Sequence, residues 1–153
     1  MKKLKIKFLP FEEFKKIYSR VPRLCVECVI QTQNGIILTK RYIEPAKGKW
    51  HIPGGTVLKG EKLKDSIERI AKSETGLDIK IIKLIGVIEY EFKNYFNQPI
   101  GLAYLLEPKN KNQKLKTNIQ ANEIKIFKTL PKNIIKVQRQ FLEKNIKIKT
   151  GSD

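Results

Sequence analysis

The chain is poor in the residues that build cross-links and metal clusters. Its 153 residues include two cysteines, Cys25 and Cys28, and one histidine, His51. Both cysteines fall in a strand-like run, where side chains three positions apart point to opposite faces of the sheet. This geometry argues against a mutual disulfide and against a zinc pair, and the chain has no second Cys or His pair to complete a zinc site. We expect two buried, reduced thiols.

Long apolar runs are also missing. No stretch approaches the about 20 residues that a helix needs to cross a bilayer. The basic start alternates with apolar residues instead of leading into the apolar core of a signal peptide. We interpret residues 1–9 as an N-terminal strand and residues 148–153 as a frayed tail. The length, with no internal repeat or linker, predicts a single domain over residues 1–153 that is cytoplasmic and has no membrane partner.

Acidic residues are scarce, with 15 Asp and Glu against 32 Lys and Arg and a net charge of +17. This excess is typical of a polyanion partner, either a nucleic acid or a substrate rich in phosphate. A general lysine bias is the alternative, because lysines outnumber arginines and form no basic stripe with interleaved aromatics. We therefore expect a small phosphorylated substrate and not a nucleic acid.

Apolar periodicity predicts helices alternating with strands, which indicates a layered sheet-and-helix domain. The turn signal Asn34-Gly35 predicts a hairpin. The predicted helices cover residues 10–18, a segment in mid-chain and residues 131–147. The predicted strands cover residues 23–32, 36–38, 50–52, 78–92 with a break near Gly86, 100–106 and 123–127.

The mid-chain segment Gly55–Leu77 reads GTVLKGEKLKDSIERIAKSETGL and carries the strongest functional signal. Its apolar residues fall on one stripe of a helix, and Glu74 lies near the middle of that stripe. A carboxylate inside an apolar stripe must be paired, hydrogen-bonded, protonated or bound to a metal, because a bare buried charge is too costly. Glu74 is therefore a candidate metal ligand; the alternative is a side chain at the helix end that reaches solvent.

The spacing of Gly55, Glu61, Arg69, Glu74 and Gly76 resembles the Nudix box, in which a glycine, a glutamate and the tail R-E-U-x-E-E-x-G-U (U aliphatic) stand at fixed intervals. The resemblance covers about residues 8–142. It implies an α/β (α+β) fold, an α/β/α sandwich around a mixed sheet. It also implies that Glu61 and Arg69 pair and hold the loop of residues 56–60 in shape.

The box departs from the family pattern at Ile70 and Ser73, which replace two of its three helical glutamates. This tail is similar to that of the GDP-mannose mannosyl hydrolases, and so is the stretch of residues 45–55. The resemblance to this branch implies one Mg²⁺, or Mn²⁺ in its place, held by the Gly54 carbonyl, Glu74 and Gln120. Oxygen ligands suit such a cation, which also binds through substrate phosphates.

The same resemblance implies that water attacks C1 of a sugar and that a nucleoside diphosphate leaves. Arg41 would contact the diphosphate and, with the metal, neutralise its growing charge. An exposed arginine at a strand end is the alternative for Arg41. Glu27 lies where the branch carries an acid near the nucleoside, and a solvent-facing strand residue is its alternative. The predicted catalytic set is thus Arg41, Glu61 and Arg69, and the substrate-binding set is Glu27 and Arg41.

The general base is open. The branch has a histidine after its metal-binding glutamine, where this chain has Ala121, and His51, Glu27 and Glu123 are the alternatives. Two other functions stay open: a nucleotide pyrophosphohydrolase that cleaves a phosphoanhydride, and a non-catalytic Nudix domain that binds a nucleotide or RNA. A homodimer would follow if the N-terminal segment added to a partner's sheet.

Overall fold

The computed structural model describes residues 8–93, 95–116 and 121–148, with the backbone alone at residues 121 and 122. Three helices and seven strands lie in this part of the chain. In chain order they are α1 (Phe11–Tyr18), β1 (Arg23–Thr32), β2 (Gly35–Arg41), β3 (Trp50–His51), β4 (Gly54–Thr56), α2 (Leu63–Thr75), β5 (Ile79–Glu89), β6 (Pro99–Pro108), β7 (Ala121–Phe127) and α3 (Lys136–Asn145).

The strands form a mixed sheet with β1 at its centre. The order is β3-β2-β1-β6-β5, and β4 and β7 pair with β1 and β2. Strands β1 and β6 are parallel from Arg23↔Pro99 to Ile30↔Leu106, and the other strand pairs are antiparallel. A parallel pair requires a long crossover connection. Here that connection contains α2, which is thereby carried onto one face of the sheet.

Helices cover the sheet on both faces. On one face, Ile67, Ile70 and Ala71 of α2 pack against the apolar side chains of β1. On the other face, Leu142 of α3 closes a second apolar core. The predicted α/β/α sandwich around a mixed sheet is confirmed.

Strand β1 is buried on both faces, as expected of a strand paired in parallel at the centre of such a sandwich. Even-numbered Val26 and Cys28 belong to the core beneath α2, and odd-numbered Val29 belongs to the core beneath α3. Cys25 and Cys28 therefore face opposite ways, and both are buried thiols, as predicted. Burial raises the pKa of Cys25 to about 12, so this thiol stays protonated near neutral pH.

The C-terminal helix was predicted from residue 131, but it begins at Lys136. Residues 133–135, just before it, pair with β3: the Trp50 N–H donates to the Asn133 carbonyl at 2.8 Å, and the Ile135 N–H donates to the Trp50 carbonyl at 3.1 Å. These bonds join segments that lie far apart in the sequence. A local apolar pattern does not contain them, which is why the predicted start is wrong.

Strand β5 ends at Glu89 and not at residue 92, but the predicted break near Gly86 is present. Gly86 has a φ of +156°, and a Cβ atom there would lie 2.9 Å from the Phe141 ring of α3. The break therefore lets α3 approach the sheet closely. Strand β4, which is not among the predicted strands, adds a short antiparallel partner to β1.

Several predictions fall on residues whose structure is not described. These are residues 1–7 of the N-terminal strand predicted over residues 1–9, the end of the tail at residues 149–153 and the predicted metal ligand Gln120. Residues 8 and 9 are described and lie in no strand, so the predicted end of that strand is wrong. The homodimer, which depends on the N-terminal segment, stays a prediction. In the described part of the chain, no helix combines the length and apolar character that crossing a bilayer requires.

Candidate active site

A pocket of about 440 Å³ opens on the face of β1 that carries its odd-numbered side chains. Strand β1 forms its floor, and α1, the loop after β2, strand β4, the end of α2 and the start of α3 supply its walls. It brings together most of the residues predicted to act in the site, namely Glu27, Arg41, Gly54, Gly55, Glu74 and His51.

Glu27 lies in the floor between two glycines of neighbouring strands. A Cβ atom at Gly54 would lie 2.3 Å from its Oε2, and one at Gly101 would lie 2.6 Å from its Oε1. The side chain is only 6% exposed. The alternative of a solvent-facing strand residue is therefore wrong, because β4 and β6 leave just enough room for this carboxyl group.

A chain of hydrogen bonds fixes the Glu27 carboxyl group. The Ile52 N–H donates to Gln138 Oε1 at 2.7 Å, Gln138 Nε2 donates to the Tyr90 hydroxyl at 2.7 Å, and that hydroxyl donates to Glu27 Oε1 at 2.9 Å. Since an amide nitrogen can only donate, the direction of every bond is set. Glu27 Oε1 is thus an acceptor, and Oε2, next to Gly54, is the atom that can carry a proton.

Burial raises the pKa of Glu27 to about 8, although the Tyr90 hydrogen bond and the charges of Arg23 and Arg41 oppose this shift. The carboxyl group is therefore mostly neutral near pH 7. A neutral carboxyl group can donate a hydrogen bond as well as accept one. The floor of the pocket thus offers a donor and an acceptor on one side chain.

Glu74 and the Gly54–Gly55 backbone line the same pocket. Glu74 stands in the last turn of α2, which ends where Gly76 adopts a left-handed φ of +76°. Ile70 packs directly beneath Gly55, where a Cβ atom would be 3.2 Å from its Cδ1. The box lacks its glutamates at Ile70 and at Ser73. The side chain of Ile70 is buried in the core, and that of Ser73 is exposed.

The donors at this point fit one hard divalent cation. The Glu74 carboxylate and the Gly54 carbonyl both offer oxygen, as Mg²⁺ prefers, and such a cation commonly completes its shell with substrate phosphates and water. Within the described residues, no group of three His, Cys, Asp or Glu side chains could hold a metal ion. The single Mg²⁺ that the resemblance implies stays a prediction.

Glu61 and Arg69 pair as the box predicts. Arg69 Nε donates to Glu61 Oε1 at 2.8 Å, and its Nη2 donates to the Thr56 carbonyl at 2.9 Å. The Ser66 hydroxyl donates to the second carboxylate oxygen. Burial opposes the charged form of Glu61, but the hydrogen bonds from Arg69 and Ser66 outweigh it and lower the pKa of this carboxyl group. The pair ties both ends of the loop of residues 56–61 to α2.

Arg41 lies at the end of β2, half-buried in the pocket wall. Its Nε donates to the Pro45 carbonyl at 2.5 Å, which holds the guanidinium group in place. Burial lowers the pKa of Arg41, yet an arginine keeps its charge at neutral pH. The alternative of an exposed arginine at a strand end is therefore wrong, and Arg41 offers a fixed positive charge to an anion.

Of the three alternatives for the general base, two are engaged elsewhere. His51 donates from Nδ1 to the Ile52 carbonyl at 2.8 Å, so its Nε2 accepts from the Thr39 hydroxyl at 3.0 Å. Burial lowers the pKa of His51 to about 4. Glu123 contacts Lys40 and Lys125, each at 3.4 Å, and is not among the described residues that line the pocket.

The structure adds pocket residues that the sequence did not single out, namely Arg23, Tyr90, Asn97 and Gln138. One of them had a signal like that of Glu74. Gln138 stands four residues after Ile134 and four before Leu142, and is thus a polar residue inside an apolar stripe. Tyr90 and Asn97 gave no comparable signal, because the contacts that define them come from distant parts of the chain.

The Nudix domain family matches residues 21–144 of the chain. The low-salt glycan biosynthesis protein Agl8 of Haloferax volcanii is 33% identical over 123 residues, which cover 78% of this chain and 79% of that protein. The ADP-ribose pyrophosphatase of Methanocaldococcus jannaschii is 34% identical over 86 residues, which cover 56% of this chain and 51% of that enzyme. The chain thus spans about half the length of the second relative.

Solved structures share the fold. A MutT Nudix hydrolase from Burkholderia pseudomallei superposes with a TM-score of 0.71 at 22% identity, covering 80% of this chain and 97% of that one. A bifunctional NMN adenylyltransferase/ADP ribose pyrophosphatase from Francisella tularensis, complexed with AMP and a Mn ion, gives a TM-score of 0.63 at 16% identity, covering 86% and 45%. With the family match over most of its length and its Glu61–Arg69 pair in place, this chain belongs to the Nudix hydrolase family.

Proposed function

We propose that this Nudix hydrolase acts on a nucleoside diphosphate linked to a sugar, in the manner of the GDP-mannose mannosyl hydrolases. One observation carries the proposal: a single helical carboxylate, Glu74, shares a pocket with a fixed arginine, Arg41. Ile70 packs into the core and Ser73 is exposed where a full box has glutamates. The pocket is thus suited to neutralising a leaving diphosphate more than to assembling several metals around an attacking water.

In this reaction the oxygen of water bonds to C1 of the sugar. The bond from C1 to the diphosphate oxygen breaks, and its electron pair leaves with the nucleoside diphosphate. When bound by Glu74 and the Gly54 carbonyl, Mg²⁺ would stabilise the charge that grows on this leaving group. Arg41 would add a second positive charge, and the Glu61–Arg69 pair holds the glycine-containing turn in place for both.

The proton of the attacking water needs an acceptor. Three glutamates line the pocket, namely Glu27, Glu44 and Glu74. With Glu74 bound to the metal and Glu27 mostly protonated near pH 7, Glu44 is the remaining carboxyl group of the pocket that can take this proton. We expect E44Q to lower kcat with little change in KM.

The names of two relatives support the proposed substrate class. The name of the Haloferax protein places it in glycan biosynthesis, where nucleotide sugars are the usual donors. The name of the Methanocaldococcus enzyme is ADP-ribose pyrophosphatase, whose substrate also joins a nucleoside diphosphate to a sugar. The second name favours the alternative in which water attacks phosphorus and cleaves the phosphoanhydride.

Hydrolysis in ¹⁸O-labelled water separates these reactions. We expect GDP-mannose and Mg²⁺ to yield labelled mannose and unlabelled GDP, detected by mass spectrometry. Label in GMP or in mannose 1-phosphate would instead establish attack at phosphorus. If GDP-mannose and ADP-ribose both persist after long incubation, while GDP binds, the non-catalytic nucleotide-binding alternative is correct.

The metal site is tested by the variant E74Q. An amide is a weaker ligand than a carboxylate, so we expect Mn²⁺ affinity, measured by electron paramagnetic resonance, to fall at least about tenfold and turnover to fall about 100-fold. The matched control is E68Q on the same helix, where Glu68 contacts exposed Lys64. Unchanged Mn²⁺ affinity in E74Q would remove Glu74 from the metal site.

A further inference from the structure

The turn between β3 and β4 consists of Ile52 and Pro53 and leads directly to Gly54, whose carbonyl is the proposed metal ligand. Proline has no N–H group, so the Ile52 N–H is the one backbone donor of this turn. Gln138 Oε1 accepts a hydrogen bond from it at 2.7 Å. On the other side, the Cys28 N–H of β1 donates to the Pro53 carbonyl at 2.7 Å. The turn is therefore held between the central strand and the start of α3.

The pairing of β4 with β1 leaves the Gly54 carbonyl turned away from β1. Glu27 lies opposite Gly54, and the Cys28 N–H bonds to the carbonyl just before Gly54. In an antiparallel ladder this pattern makes Glu27 and Gly54 a pair without backbone hydrogen bonds to each other. The Gly54 carbonyl can thus accept a cation without losing a bond to β1. Because β1 does not bond to this carbonyl, its direction depends on how the preceding turn is held.

Gln138 is a buried side chain that joins this turn to the floor of the pocket. It stands in the first turn of α3 and is 3% exposed. Its Nε2 donates to the Tyr90 hydroxyl at 2.7 Å, and that hydroxyl donates to Glu27 Oε1 at 2.9 Å. Glu27 Oε2 in turn lies against Gly54. The contacts therefore form a closed circuit that begins at Ile52 and returns to Gly54.

The backbone that carries Gln138 is itself fixed next to the turn. The Trp50 N–H donates to the Asn133 carbonyl, and the Ile135 N–H donates to the Trp50 carbonyl. Helix α3 begins directly after these bonds, and its Leu142 is fully buried in the core. A side chain on such a support can hold the turn in one position.

We propose that Gln138 is a positioning residue of the metal site, which holds the Gly54 carbonyl in the direction that a bound cation requires. It acts on the cation only through the Ile52 N–H and the backbone of the turn. Groups that orient a metal ligand typically change metal affinity by about 10–100-fold when they are removed. This inference rests on the metal site of the function proposed above, but it does not depend on which bond is cleaved.

Mn²⁺ titration followed by electron paramagnetic resonance tests the proposal. Q138M keeps the length of the side chain but removes both hydrogen bonds, and we expect its Mn²⁺ affinity to fall about tenfold. Q138E keeps an oxygen that accepts the Ile52 N–H, and Y90F keeps the bond between Ile52 and Gln138. Neither variant should lose more than about threefold. Q140M, at an exposed position of the same helix, is the matched control and should bind as wild type does.

Unchanged Mn²⁺ affinity in Q138M would overturn the proposal. Equal losses in Q138M and Y90F would also overturn it, because the effect would then pass through Tyr90 and not through the turn. Q138E and Y90F decide the question if Q138M does not fold: a loss of about tenfold in either variant contradicts the assigned role of the Ile52 bond.

Amide hydrogen exchange in EDTA tests the same link without metal or turnover. Release of the turn exposes the Cys28 N–H, so we expect Q138M to speed its exchange about tenfold. The Val57 N–H, which donates to the Leu24 carbonyl at 3.0 Å just beyond the other end of β4, should exchange as in wild type. Equal acceleration at both amides, or none at either, would overturn the proposal. If E74Q shows that Glu74 binds no metal, the proposed function fails, and the exchange rates still decide whether Gln138 holds the turn.

Discussion

At the scale of single residues, Glu27 is a carboxyl group held neutral by its position. Gly54 of β4 and Gly101 of β6 lie against its carboxyl group on either side. Tyr90 donates a hydrogen bond to this group, and Gln138 donates one to Tyr90. Replacing Glu27 with glutamine keeps the shape and the acceptor oxygen but removes the titration. The variant E27Q therefore isolates the effect of the charge.

We expect E27Q to remove a pH dependence of stability. Burial raises the pKa of Glu27 to about 8 in the folded protein, against 4.5 without burial. Between these values the folded state holds a proton that the unfolded state has lost, so the free energy of unfolding falls as the pH rises through this window. E27Q should gain roughly 1–3 kcal/mol over wild type between about pH 5 and pH 8.

Urea unfolding of both proteins at several pH values, in EDTA, measures this difference. Parallel stability curves for wild type and E27Q would contradict a raised pKa of Glu27.

Sequence reasoning found some site residues and missed others for a physical reason. Glu74 was identifiable because a charge stood in an apolar helical stripe, and Glu27 because the family branch that the chain resembles carries an acid at that position. Tyr90 and Asn97 lie at strand ends, where polar residues are ordinary, so no local pattern marks them. Tyr90, for example, receives a hydrogen bond from Gln138, which is distant in sequence.

At the scale of elements, the loop before α2 depends on one ion pair. The side chain of Glu61 is 3% exposed and receives hydrogen bonds from Arg69 and Ser66. We expect E61Q to lower the free energy of unfolding by about 2 kcal/mol, because Arg69 then loses its carboxylate partner in a partly buried site.

Urea unfolding of E61Q beside E68Q measures this difference. E68Q breaks the exposed i,i+4 pair with Lys64 on the same helix and should cost about 0.5 kcal/mol or less. Similar costs for the two variants would show that the buried pair does not stabilise the loop.

Helices and strands with a strong apolar periodicity were predicted well. Elements that depend on pairing with a distant segment of the chain were not. Strand β1 has the predicted bounds Arg23–Thr32, and the box helix lies where its apolar stripe indicated. Strand β4 was missed because two glycines give no strand signal, and its existence depends on pairing with β1. The start of α3 was misplaced because residues 133–135 pair with Trp50 instead of continuing the helix.

At the scale of the whole molecule, the net charge of +17 determines how strongly the protein attracts anions. Lysines spread over the surface attract any polyanion without sequence preference. We expect weak binding to an RNA of about 20 nucleotides that falls at least about tenfold between about 50 and 200 mM salt. We expect the KM for GDP-mannose to change far less, because this substrate carries a small charge and binds to fixed groups such as Arg41 and the proposed metal ion.

Fluorescence anisotropy with a labelled RNA measures the RNA affinity at each salt concentration. Steady-state kinetics at the same salt concentrations measure the KM for GDP-mannose. RNA binding that persists at high salt would favour the RNA-binding alternative over the proposed hydrolase.

The pairing of residues 133–135 with Trp50 has a consequence for synthesis. Gln138, which orients Tyr90 and thereby Glu27, lies near the end of the described chain, although the strands of the floor come early. A chain still on the ribosome can assemble β1, β2 and α2, but its pocket lacks one wall until α3 has emerged. The pocket is therefore complete only after the residues of α3 have left the ribosome.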